Sequence, residues 1–171
     1  MFKLCMILLS FVFTLSAEEP LCHVFLVQVP DQPLDEGLTN VEMPFALRLA
    51  ESLSHMPLTA VYSSDEPCAK QTAELIAAYH NLPIITHMTL QAILPNTLFL
   101  RMGELRTLGL SLVERHLGEQ IVIVTHESLV RFVGRYVHGK FQQIPHFSFI
   151  QVSSDGKSMF LSFLKSLLFS E

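Results

Sequence analysis

Beyond residue 20, short apolar runs rich in β-branched residues alternate with stretches whose apolar positions recur every three to four residues. Residues 22–28 (CHVFLVQ) are almost continuously apolar, the pattern of a strand covered on both faces. A Pro-, Asp- and Gly-bearing loop follows at 30–37. From Pro44 on, Ala46, Leu49, Ala50 and Leu53 fall at i, i+3, i+4 and i+7, one face of a helix. Residues 59–62 predict a second strand. Ser64 or Asp65 then predicts the cap of a helix with Pro67 in its first turn, where the missing N–H costs no bond. The inner face of that helix reads Ala69, Thr72, Ala73, Ile76 and Ala77.

Residues 84–86 predict a third strand, and 97–117 a longer helix with Leu98, Met102, Leu105, Leu108 and Leu112 on one side. Gly103 and Gly109 weaken that helix slightly. Residues 121–125 (IVIVT) form a core strand that runs into a helix over 128–138, striped by Leu129, Phe132, Val133, Tyr136 and Val137. Residues 147–152, an Asp155-Gly156 turn and residues 158–163 predict a closing hairpin. The alternation of β and α units predicts an α/β domain. Its architecture is a three-layer α/β/α sandwich with a mostly parallel central sheet and a C-terminal β-hairpin.

The first 17 residues break this pattern. Lys3, an apolar run over 4–15 and the small-residue exit Ser16-Ala17 have the layout of a secretory signal peptide cleaved before Glu18. The run is shorter than the roughly 20 residues an ordinary membrane span requires. Residues 1–17 are therefore expected to be a signal peptide and 18–171 a single domain, exported to a periplasm or secreted, with no stable membrane insertion after cleavage. Loss of 1–17 removes Lys3 and no acid, so a formal charge of −5 becomes −6. An acidic chain without a basic run predicts no nucleic-acid partner. Cys5 leaves with the signal. Cys22 and Cys68 remain, too few for a disulfide framework, and at opposite strand ends they are not expected to pair. None of the eight histidines shows HxxxH or HExxH spacing, so no metal site or cofactor is expected.

In open α/β sheets, ligands gather at the carboxyl ends of strands beside helix N-termini. Three such places stand out: the loop after Gln28, the Ser63-Ser64-Asp65 turn, and His126-Glu127-Ser128. Cys68, at the start of a helix, is a candidate thiolate, opposed by the neighbouring acids Asp65 and Glu66. The Phe-rich tail (Phe141, Phe147, Phe149, Phe160, Phe163, Phe169) reads as hairpin core.

The Ser-Ser turn followed by AKQTAELIA (69–77), the segment IVIVTHESLVRFV (121–133) and Leu38-Thr39 before the first helix together resemble the histidine phosphatase, or phosphoglycerate mutase-like, superfamily. The resemblance spans residues 22–163, and the short stretch after Leu90 is similar to the compact phosphohistidine-phosphatase branch. It implies a nucleophilic histidine in an Arg-His-Gly motif after the first strand, with two arginines and a second histidine holding the phosphoryl group. In this chain that motif falls on Gln28, Val29 and Pro30, and the second arginine on Cys68. Of the implied pocket residues only His126 is retained. The implied general acid would follow Leu90, where the chain reads Gln91-Ala92-Ile93. His23 cannot substitute, because five residues of strand place it about 16 Å from the motif. Asp31, Ser63, Ser64, Asp65 and Glu127 are expected at the pocket rim, with Glu66 adding a further acid.

The resulting expectation is an exported pseudophosphatase that binds or scaffolds an unknown protein partner or small ligand. The alternative is a phosphomonoesterase or phosphohistidine phosphatase-like hydrolase with altered catalytic residues, using His126 with Asp31 or Cys68.

Overall fold

The computed structural model describes residues 20–30, 37–90, 98–130, 146 and 148–154. In chain order the elements are β1 (Cys22–Val29), α1 (Met43–Leu53), β2 (Leu58–Ser63), α2 (Pro67–His80), β3 (Ile84–Thr86), a 3₁₀ turn (Met88–Leu90), α3 (Leu98–Arg115), β4 (Gln120–His126) and β5 (Ser148–Ser154). The strands form one sheet in the order β3-β2-β4-β1-β5. All neighbours are parallel except β5, which runs antiparallel to β1. The expected mixed, mostly parallel α/β architecture is the observed one.

Strand alternation divides the core into two layers. Phe25, Val27, Val29, Val61, Val122 and Val124 face α1 and α2, packing on Leu49, Leu53, Ala69, Ala73 and Ile76. Val24, Leu26, Tyr62, Ile121 and Ile123 face the other way, onto Leu112 and Val113 of α3 and onto Leu129. The four positions read as the inner face of α1 are its buried residues, and those of α2 are joined only by Cys68. Leu105 and Leu108 of α3 are partly buried against the second layer.

The boundaries differ in two instructive places. The N-cap position of α2 is Glu66, not Ser64 or Asp65. The Ser64 N–H still donates to Val124 O at 3.1 Å, so sheet bonding carries the chain past the expected cap. α3 ends two residues earlier than expected, because Gly118 takes a left-handed φ of 79° and reverses the chain. Among the described residues no helix is long and apolar enough to cross a membrane.

Several expectations fall outside the described residues. They are the signal segment, Asp31, residues 91–93, the helix beyond residue 130, the turn at 155–156 and the second hairpin strand at 158–163. Of the aromatic tail, Phe149 packs edge-on against Phe25 with ring centroids 5.5 Å apart.

Candidate functional site

The carboxyl ends of β1, β2 and β4 converge where the sequence places its candidates. β1 and β4 are in register there: Gln28 lies opposite Thr125, and Val29 opposite His126. Because strand side chains alternate, Val29 and His126 share the face turned toward α1 and α2, while Gln28 and Thr125 face the α3 side. Val29 is wholly buried and His126 nearly so. Gln28 is also buried, and its Nε2 lies 3.4 Å from Nδ1 of His146. Thr125 Oγ1 donates to Leu90 O at 2.6 Å, which ties the 3₁₀ turn to the end of β4. Pro30 follows β1, partly buried.

The principal polar contact of the site joins α2 to β4. His126 Nε2 stands 2.7 Å from Glu66 Oε2, with side-chain exposures of only 3% and 7%. Glu66 reaches inward because its backbone is extended (φ −72°, ψ 142°) just before Pro67 starts the helix. Its side chain makes no capping bond to α2. The acids expected at the rim include Glu66. It is instead an interior partner of His126. No local signal announces this, since an acid before a helix-starting proline has the appearance of a solvated cap.

Ser63 and Ser64, expected at the rim, are both wholly buried. Ser63 Oγ donates to Ser64 O at 2.7 Å, whereas Ser64 Oγ finds no hydrogen-bond partner among the described residues. Asp65 is exposed, with Lys70 Nζ 3.4 Å away. Glu127 is partly exposed at the start of the helical residues 127–130.

Cys68 lies in the core beside this pair, 1% exposed. Burial, then the charges of Glu42 and Glu66, push its thiol up to about 12. At neutral pH it is a protonated thiol and not the thiolate that nucleophilic or redox chemistry requires. Glu42 is held by a capping box: Thr39 N–H and Oγ1 donate to Glu42 Oε2 at 2.9 and 2.7 Å, and Glu42 N–H donates back to Thr39 Oγ1 at 3.3 Å. The preceding loop is tied to α2 by Leu38 N–H, which donates to Gln71 Oε1 at 2.7 Å. A Cβ at Gly37 would come within 2.6 Å of the Gln71 amide. Both cysteines are free, as expected.

No cluster of His, Cys, Asp or Glu among the described residues is arranged to hold a metal ion. A separate open cavity of about 470 Å³ is lined by His87, Gly103, Glu104, Thr107, Leu108 and Ser111. None of the candidate site residues lines it.

The sequence model of the histidine phosphatase superfamily (branch 1) matches residues 29–94. No curated protein matches the chain in sequence. Among solved structures, YhfR of Bacillus stearothermophilus superimposes with a TM-score of 0.64 at 19% identity, covering 79% of this chain and 92% of its own. The protein histidine phosphatase SixA, solved with tungstate, gives 0.61 at 20% identity and covers 80% and 90%. A phosphoglycerate mutase from Bacillus anthracis gives 0.61 at 12% identity, covering 85% and 98%. At such identities the likeness is one of fold. The resemblance carried by the motifs therefore stands: this is a chain of histidine-phosphatase fold, matched by the superfamily's own sequence model at residues 29–94.

Proposed function

We propose that this chain is a pseudophosphatase, a protein of histidine-phosphatase fold that acts by binding and does not transfer phosphoryl groups. The observation that carries the reading is the register at the end of β1, where Val29 lies opposite His126 and is wholly buried. The resemblance assigns the nucleophile to Val29, whose side chain has no lone pair with which to attack. Loss of the nucleophile from a concerted site removes a factor of about 10⁶ in rate. Gln28 and Cys68, at the positions the resemblance gives to arginines, supply no positive charge for a developing phosphoryl dianion. A phosphorylated ligand would meet Glu66 where a cation is required. SixA and the mycobacterial glucosyl-3-phosphoglycerate phosphatase were solved with tungstate and with VO3 respectively. On this reading the present chain binds such oxyanions only weakly.

The site of action is proposed to lie outside the cytosol, on the signal-like pattern of residues 1–17. N-terminal sequencing of the mature protein tests this, and cytosolic material that retains Met1 would contradict it.

Repair tests the functional reading. The combined change Gln28→Arg, Val29→His, Pro30→Gly and Cys68→Arg is expected to give a small, measurable rate on an activated phosphoester together with a trapped phosphohistidine. Val29→His alone is expected to do little. A wild-type rate that disappears on His126→Ala or Cys68→Ala would overturn the proposal and favour the altered-chemistry hydrolase.

A further inference from the structure

We propose that the open cavity beside α3 is a binding site for a small organic cation, a ligand carrying ammonium groups such as a diamine or polyamine. The Glu104 carboxylate is its counter-charge. The inference goes beyond the non-catalytic reading above and is independent of it, because none of the candidate site residues lines the cavity.

The walls come from two parts of the chain. Gly103, Glu104, Thr107, Leu108 and Ser111 recur at helical spacing along α3 and share one face of it. His87, just before the 3₁₀ turn, supplies the other wall on a pinned backbone. Its N–H donates to Ser63 O at 2.9 Å, and its carbonyl accepts from the Leu90 N–H at 3.0 Å. Leu108 ties the cavity to the core, against which it is partly buried. The volume of about 470 Å³ falls in the roughly 300–1,000 Å³ range of small-molecule sites.

Gly103 is the first sign that this space serves a ligand. Glycine inside a helix is destabilising relative to alanine. Packing does not demand it here, since among the described residues a Cβ at Gly103 would meet nothing within 4 Å. Its effect is to leave the backbone bare along the cavity wall, where a ligand can lie close.

The ligand class follows from donors and acceptors. A hydroxyl carries one proton. Thr107 Oγ1 donates its proton to Gly103 O at 2.9 Å, and Ser111 Oγ donates to Leu108 O at 2.8 Å. Toward a ligand both hydroxyls therefore act as acceptors. A carboxylate only accepts, at about four lone-pair sites, so Glu104 accepts from a ligand N–H alongside its other bonds. Among the described residues no lysine or arginine lines the cavity. An oxyanion would meet a negative charge and a row of acceptors. An ammonium group brings the opposite charge and three donors.

The test uses the full chain and spermidine, by isothermal titration calorimetry at low salt, where exposed charges are least screened. The wild type is expected to bind saturably, with a Kd of about 1 mM or tighter. Glu104→Gln is expected to weaken binding about tenfold or more. Gly103→Leu fills the cavity from a position with room for a side chain and is expected to abolish binding. Glu74→Gln removes an exposed acid on α2, in the opposite layer of the molecule, and is expected to bind as the wild type does. Glucose, an uncharged ligand, is expected not to compete. If one cavity variant does not fold, the other decides. No saturable binding to the wild type, equal weakening by Glu104→Gln and Glu74→Gln, or undiminished binding by a folded Gly103→Leu protein each overturns the inference. Competition by glucose overturns the ligand class. None of these outcomes touches the non-catalytic reading, which phosphoester turnover decides.

Discussion

Two buried histidines in this molecule each face a glutamate at hydrogen-bond distance, and they do different work. His116, just after α3, is bonded on both sides. Its Nδ1 lies 2.6 Å from Glu119 Oε2 and its Nε2 2.8 Å from the Tyr62 hydroxyl. Since a carboxylate can only accept, Nδ1 donates to Glu119, and in the neutral ring Nε2 accepts the Tyr62 O–H. Glu119 also accepts from Thr59 Oγ1 at 2.9 Å and is 42% exposed. Both ring nitrogens of His116 are bonded, so the arrangement is a strut tying the end of α3 to β2 and to the start of β4. His126 lies at the carboxyl ends of the strands with a glutamate sealed from solvent. Similar chemistry is thus open to water at the Glu119 carboxylate in one region and sealed from it in the other.

The largest effect that separates the two regions concerns stability. His126→Ala strands the Glu66 carboxylate in the core, and breaking a buried pair from one side costs about 3–5 kcal/mol. Adding Glu66→Gln is expected to restore most of that loss in urea denaturation. A cost under about 1 kcal/mol for His126→Ala would mean that the pair carries no buried charge. In the strut, Tyr62→Phe removes one hydrogen bond to His116, and about 1–2 kcal/mol is expected. A larger loss at Tyr62 than at His126 would reverse the comparison.

Smaller effects are read from pH. The Cys68 thiol is raised to about 12 by burial, then by Glu42 and Glu66, and Cys22 to about 11 by burial and then Glu119. A raised folded-state value means that the stability these thiols contribute is fully present below their ordinary value of 9.0 and is lost as pH rises toward 11–12. The melting temperature is therefore expected to fall across that alkaline range, and less steeply in Cys68→Ala. Rapid alkylation of Cys68 in the native protein near neutral pH would contradict this. The smallest effect belongs to Glu119, held below the usual carboxylate range first by its hydrogen bond from His116 and then by that from Thr59. Its contribution is present above the unfolded value and disappears as pH falls through the lower folded one. Glu119→Gln is expected to remove only that shallow acid slope from thermal melts.

The fold was legible because its signals are local and repeated. The run at 22–28 and IVIVT predict strands buried on both faces, and β1 and β4 became the two central parallel partners. The i, i+3, i+4, i+7 spacing in α1 predicted its buried face residue for residue. Register and tertiary pairing were not legible. Nothing in the segment around Glu66 indicates an inward carboxylate, because its direction follows from an extended backbone before Pro67 and from β4 lying beside β2. The bond between His116 and Tyr62, 54 residues apart, exists only once α3 packs on the sheet. The Thr39–Glu42 capping box, by contrast, is visible in the sequence as T-x-x-E, one turn ahead of the apolar repeat that begins after Pro44.

The central claim is that a phosphatase fold here carries no phosphoryl-transfer chemistry. Its most direct test is turnover of an activated aryl phosphoester and of phosphohistidine by the wild-type chain, run beside a His126→Ala control and followed by release of inorganic phosphate. The account predicts rates indistinguishable from buffer in both proteins, and no phosphorylated chain on acid-free quenching. Phosphate release by the wild type that is lost in His126→Ala, or a phosphohistidine trapped on the wild-type chain, would contradict it.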